Sequence, residues 1–186
     1  MRAEVMTLGT PNPRQREFLA CEKKYVAFGG ARGGGKSWAV RCKAKLLALR
    51  YAGIRILLVR RSLAELEANH LAFLRQELAD VAEYRAGERQ FRFCNGSVLQ
   101  FGYCGCDRDL DRYQGAEYDV IFLDEATQLK EQWMRQIAAC VRGVNDFPKR
   151  IYYTCNPGGP GHGYIKRLFI DRRFEDGEQP EDYAFI

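Results

Sequence analysis

The chain has 186 residues, 46% of them apolar and 28% charged, a composition that fits one globular domain with its own core and excludes a disordered tail. No apolar run approaches the roughly 20 residues of a membrane span, and the amino-terminal stretch lacks the apolar centre of a secretion signal, so a soluble intracellular protein is expected. The net charge of +5 fits a solvated surface as well as a nucleic-acid groove, although 21 Arg against 8 Lys favours side chains that match phosphate.

Short apolar runs alternate with helical patterns, which defines an α/β class. Asn12-Pro13-Arg14-Gln15 predicts a short helix with Asn as cap, Pro at its first position and Gln three residues after the cap. Tyr25 to Phe28 predicts a strand, followed by a glycine loop and a helix from about Lys36 to Tyr51. Ile54 to Val59 predicts a second buried strand, after which Leu63, Leu66, Leu71, Leu74, Leu78 and Val81 recur at helical spacing. Phe91 to Cys94 and Ser97 to Phe101 flank Asn95-Gly96, a strong turn signal, so a β-hairpin is expected before the next core strand, Val120 to Leu123. Leu129, Trp133, Met134, Ile137 and Val141 predict an amphipathic helix, and Ile151 to Thr154 a strand ending in Asn156-Pro157-Gly158-Gly159. A last apolar stretch, Tyr183 to Ile186, reads as a strand cut short, as expected of a piece of a longer parent. Seven cysteines, at 21, 42, 94, 104, 106, 140 and 155, form no Cys-x-x-Cys pair and read as buried thiols, not as a zinc site.

The glycine loop, Gly30-Ala31-Arg32-Gly33-Gly34-Gly35-Lys36-Ser37, fits G-x-x-x-x-G-K-[ST] between a predicted strand and a predicted helix. Glycines let consecutive backbone N–H groups turn inward around phosphates, and the helix start adds partial positive charge. Lys36 brings a full charge to the terminal phosphates, Ser37 a hydroxyl for Mg²⁺, and Arg32 a guanidinium within reach of the γ-phosphate. A dinucleotide fingerprint is rejected, because Arg60-Arg61 stands after the second strand where an acidic residue is needed. Val120-Ile121-Phe122-Leu123 feeds Asp124-Glu125, which supplies the acidic half of a nucleotide-hydrolysing site: Asp124 for Mg²⁺ and Glu125 to orient and deprotonate the attacking water.

An extra Glu beside the metal Asp resembles the additional-catalytic-glutamate branch of P-loop NTPases, a mainly parallel sheet sandwiched by helices. That resemblance places the strand Ile151 to Thr154 between the loop strand and the acidic strand. Thr154 and Asn156 then stand beside the γ-phosphate as sensors, against the alternative of a plain turn.

Taken in order, the motifs resemble the ATPase domain of the large terminase subunit of tailed double-stranded DNA bacteriophages, over nearly all of residues 1–186. The resemblance rests on Pro13 to Phe18, the GGARGGGKS loop, the RRSLAEL segment, Asn95-Gly96-Ser97, Arg112-Tyr113-Gln114-Gly115, Phe122 to Ala126 and Thr154 to Pro157. It implies that Gln15 reads the adenine, although the same side chain serves as its own helix cap, and that Thr154 and Asn156 couple hydrolysis to DNA movement. Arg112, with Arg108 as a rival, is implied to be an arginine finger acting on a neighbouring subunit. Also implied are a homo-oligomeric ring, double-stranded DNA, a portal protein and a small terminase subunit as partners, and a location in the host cell cytoplasm at the procapsid. The family's large subunit continues into a nuclease domain, which is not expected in these 186 residues. A helicase-like translocase, a phosphotransferase and a module that binds ATP without hydrolysing it are the rival readings.

Overall fold

The computed structural model describes residues 9–31 and 33–186. Helix α1 (Pro13–Ala20) begins at Asn12, whose side chain accepts from the Gln15 N–H while Gln15 returns a bond to the Asn12 N–H, the expected capping box. Strand β1 (Tyr25–Phe28) leads through the glycine loop into α2 (Lys36–Arg50). After β2 (Arg55–Arg60), α3 (Leu63–Leu66) runs through a π-helical turn (Glu67–Leu71) into α4 (Ala72–Glu77). Then come β3 (Ala82–Arg85), β4 (Gln90–Phe93), β5 (Val98–Tyr103), a 3₁₀ stretch (Asp107–Tyr113) and β6 (Val120–Leu123). The chain closes with a 3₁₀ turn (Ala126–Gln128), α5 (Glu131–Ala138), β7 (Arg150–Thr154), α6 (His162–Ile165) with a π turn (Lys166–Ile170), and β8 (Tyr183–Phe185).

The strands form one sheet in the order β3-β4-β5-β2-β6-β7-β1-β8. Pairing is parallel from β5 to β8, and β3-β4 and β4-β5 are antiparallel. Two-residue alternation sorts the central strands between two cores. Val26, Phe28, Val120, Phe122 and Tyr152 face α1, α2 and the leucines Leu66, Leu71 and Leu74. Ala27, Ile121, Leu123, Ile151 and Tyr153 face Trp133, Met134 and Ile137 of α5 and Ile165, Leu168 and Phe169. Helices therefore cover both faces, and β7 lies between the loop strand β1 and the acidic strand β6, as expected.

Several expectations need correction. The expected hairpin forms around Asn95-Gly96 as β4 and β5, and the expectation lacked only that β5 also pairs in parallel with β2 along its length and that a third, half-exposed strand, β3, extends the edge. Leu63, placed on the apolar stripe, is exposed, since the helix has only begun there and the π turn rotates the stripe that follows. Leu129 and Val141 lie outside α5; Leu129 is buried from the preceding loop, and Val141 is half-buried and bridges to Tyr118. All seven cysteines are thiols outside any disulfide, but Cys94 and Cys106 are exposed and Cys21 is half-buried. Among the described residues, no helix is long and apolar enough to cross a membrane. The start of the amino-terminal stretch, residues 1–8, lies outside the described residues.

Candidate functional site

The carboxyl ends of β2, β6 and β7, the glycine loop and the start of α2 surround a cavity of about 390 Å³. Gly33, Gly34, Gly35, Lys36 and Ser37 form one wall, and Asp124, Glu125, Thr154 and Asn156 face them. The loop turns through left-handed backbone at Gly33 (φ 79°) and Gly35 (φ 72°), conformations that glycine adopts without steric cost. Gly35 is the N-cap of α2 and supplies no side chain, so the first N–H groups of the helix are left for an anion. Arg32 lies outside the described residues. Ala31 contributes its carbonyl, which accepts from Lys36 Nζ at 2.9 Å. Lys36 Nζ also donates to the Gly30 carbonyl at 2.9 Å and to Asn156 Oδ1 at 2.8 Å, so the ammonium spans the loop and the β7 end. Burial lowers its pKa from the ordinary lysine value, and the nearby Asp124 and Glu125 carboxylates partly offset that.

Asp124 is 1% exposed and surrounded by donors. Its Oδ2 accepts from Ser37 Oγ at 3.2 Å, His70 Nε2 at 2.7 Å and lies 2.9 Å from Arg60 Nε, while Oδ1 accepts from Thr154 Oγ1 at 2.5 Å. Burial alone would raise its pKa; His70, Arg60 and Thr154 outweigh that and hold the carboxyl well below the usual range, so it is ionised. Glu125, by contrast, has a half-exposed side chain on left-handed backbone (φ 54°), a costly conformation for a residue with a Cβ and one that concentrates at functional sites. Its N–H donates to Thr154 Oγ1 at 2.8 Å, and its carboxylate is held by Arg60 at 2.9 Å.

Thr154 thus touches both acids, and Asn156 touches Lys36 and, through its carbonyl, Thr127 Oγ1. Gln15 reaches the loop itself: its Nε2 donates to the Gly35 carbonyl at 3.1 Å while its Oε1 accepts from the Asn12 N–H, so both ends of the amide are engaged. Arg112 is not brought to this cavity. It pairs with Asp109 at 2.8 Å, stacks on the Tyr103 ring at 3.9 Å and lines a different cavity beside Arg89 and Tyr113. Arg108 is exposed on the same 3₁₀ stretch.

Arg60, His70 and Asn69 are site residues that sequence reasoning missed. Arg60 is set beside Asp124 by the pairing of Val59 with Leu123 in β2 and β6, a register that local sequence does not specify. His70 had no signal beyond being one of two histidines in the chain.

Among the described residues no cluster of three or more His, Cys, Asp or Glu side chains could hold a metal. The donors that meet here, one hydroxyl and one carboxylate 3.2 Å apart beside a phosphate-shaped loop, suit Mg²⁺, which binds through one or two protein oxygens and the ligand's phosphates. Loop, lysine, acidic pair and strand order together define a P-loop NTPase fold of the additional-glutamate type.

A family model described as phage terminase large subunit matches residues 22–185, and the chain belongs to that family. The fold is similar to the large terminase of a thermophilic bacteriophage in complex with ADP (TM-score 0.74, 15% identity), over 94% of this chain and 44% of that one. It is also similar to the large terminase ATPase domain of Thermus phage P74-26 (TM-score 0.69, 15% identity), over 95% of this chain and 80% of that one. The N-terminal domain of the DNA packaging ATPase from bacteriophage phi29 matches with a TM-score of 0.61 and 20% identity, over 94% of each chain. The chain therefore spans less than half the length of the thermophilic phage's large terminase. No curated protein matches the chain by sequence.

Proposed function

We propose that the chain is a Mg²⁺-dependent ATPase that powers translocation of viral double-stranded DNA into a procapsid. The observation that carries this reading is the meeting of Lys36, Ser37, Asp124 and Glu125 around one cavity, with Ser37 and Asp124 3.2 Å apart. Similar large terminase structures solved in complex with ADP and with ATP-gamma-S support nucleotide as the ligand.

Lys36 and the loop N–H groups take the phosphates, with Arg32 added from the same loop; Gln15, bonded to the Gly35 carbonyl, fixes that end of the cradle and reads the adenine. Ser37 and Asp124 would hold Mg²⁺, which when bound polarises the phosphoryl oxygens. Asn156 already bonds the Lys36 ammonium, so a phosphate that draws the ammonium away is felt directly at the end of β7. Glu125 is the base for the attacking water. In the conformation described, Arg60 holds its carboxylate, so the base must leave that ion pair to work, which favours slow turnover in an isolated chain.

Arg112 completes a neighbour's site in a homo-oligomeric ring, and the ring works with the portal protein and small terminase subunit in the host cytoplasm. DNA contact is mainly to phosphates, hence salt-dependent and indifferent to sequence. No nuclease activity is assigned to these 186 residues.

The test is Glu125→Gln. Phosphate release should fall by about 10²-fold or more while ATP affinity is retained; release as fast as in the wild type would remove Glu125 as the base, and no release from either protein would leave a module that binds ATP without hydrolysing it.

A further inference from the structure

The helix that follows β2 is not uniformly α-helical. At Glu67–Leu71 it opens into a π turn, in which the Ala72 N–H reaches the Glu67 carbonyl, five residues back. Such turns break the regular bonding pattern and collect at functional sites. Here the disturbed groups are re-bonded by side chains. Asn69 Nδ2 donates to the Glu65 carbonyl at 2.8 Å, Arg60 adds a second bond to that carbonyl at 3.2 Å, and Arg41 from α2 donates to the Asn69 carbonyl at 2.7 Å. The turn is therefore a pinned feature, tied to the phosphate-loop helix on one side and to β2 on the other.

Its product is the placement of His70. The ring is 0% exposed and its Nε2 lies 2.7 Å from Asp124 Oδ2. An ionised carboxylate only accepts, so Nε2 carries the hydrogen and donates it. The other nitrogen, Nδ1, is buried without a hydrogen-bond partner. Leaving a buried polar atom unpaired costs about 1–3 kcal/mol, a cost that an apolar side chain of similar size would avoid. Packing alone therefore does not account for a histidine here; the bond to Asp124 does.

We infer that His70 is a positioning residue for the metal site: donating to Asp124 Oδ2 from outside the residues that line the cavity, it fixes the Asp124 carboxylate in the orientation in which it and Ser37 receive Mg²⁺ with the nucleotide. The inference rests on the proposed Mg·ATP reading. Outer-shell partners of this kind typically contribute 10- to 100-fold to metal affinity or activity.

The probe is ATPγS titrated into the 186-residue chain, with Mg²⁺ and separately in EDTA, for the wild type, His70→Met and His70→Gln. Met keeps the volume without the donor, and Gln places an amide nitrogen near the position of Nε2. His70→Met should bind Mg·ATPγS about tenfold or more weakly with unchanged affinity in EDTA, and His70→Gln should return to within about threefold of wild type. Equal losses with and without Mg²⁺, no loss in either, or a His70→Gln variant as weak as His70→Met would overturn the inference. If His70→Met fails to fold, His70→Gln decides alone, since loss of its Mg²⁺-dependent affinity is equally contrary. A wild type that binds no ATPγS at all would instead overturn the nucleotide reading, and one that binds it without any Mg²⁺ dependence would overturn both the Mg²⁺ assignment and the role of His70.

Discussion

Asp124 and Arg60 are both nearly fully buried, at 1% and 3% exposure, and a buried pair of this kind contributes less by being present than its rupture costs. Arg60→Met leaves a buried carboxylate short of a cation and should lower the unfolding free energy by about 3 kcal/mol in urea titrations. A change within 1 kcal/mol would mean that His70 and Thr154 suffice. Lys43 is a different case. It is buried in α2, where its ammonium donates to the Leu19 and Cys21 carbonyls, and desolvation pushes its pKa down from 10.5 to about 8. Between about pH 8 and 10.5 the unfolded chain then holds a proton that the folded chain has released, so this residue's contribution to stability rises with pH across that window and is least favourable below it. The pH dependence of unfolding in Lys43→Met, subtracted from that of the wild type, should show that rise, of order 3 kcal/mol at most; a flat difference between pH 8 and 10.5 would contradict it.

Glycines at two joints between elements separate backbone crowding from side-chain crowding. A Cβ on Gly161 would sit 2.3 Å from the Leu129 carbonyl oxygen, part of the backbone under α6, whereas one on Gly35 would meet the movable end of Gln15 at 2.4 Å, on a left-handed residue. Gly161→Ala should therefore lower the melting temperature more than Gly35→Ala, which carries about 1–2 kcal/mol of backbone cost but shifts the phosphate loop. Nucleotide affinity should order the two the opposite way. Elements of this kind were unevenly legible in the sequence. β1, β6 and β7 announced themselves as short apolar runs because both their faces are buried, and the Asn12 cap because its chemistry is local. β3 was invisible, since Ala-Glu-Tyr-Arg at a half-exposed edge carries no hydrophobic pattern and is held by its partner β4. The π turn was equally hidden: leucines at helical spacing look the same whether or not one turn is widened, and the compensating bonds come from Arg41 and Arg60 on other elements. The loop and acidic pair were legible because their chemistry requires fixed residue types at fixed spacing, while their supports, Arg60 and His70, depend on strand order and on a turn that local sequence does not specify.

For the whole assembly, Arg112 folds back onto Asp109 and Tyr103 in its own chain, at a distance from its own phosphate cavity, so a catalytic role for it requires a neighbour. Specific activity should then rise with protein concentration. Mixing Arg112→Ala with Glu125→Gln chains should also restore part of the turnover that each lacks alone, because the first keeps an intact base and the second an intact arginine. A mixture no more active than the sum of its parts would remove Arg112 from the mechanism and bring Arg108 forward. The expectations for turnover and for Arg112 depend on nucleotide occupying the cavity between Lys36 and the acidic pair. Calorimetric titration of Mg·ATPγS into the wild type and Lys36→Ala measures that directly. The wild type should bind one nucleotide per chain, and the variant should bind at least about tenfold more weakly for loss of a charge-assisted contact. Absence of binding by the wild type, or equal affinity in the two proteins, would contradict it.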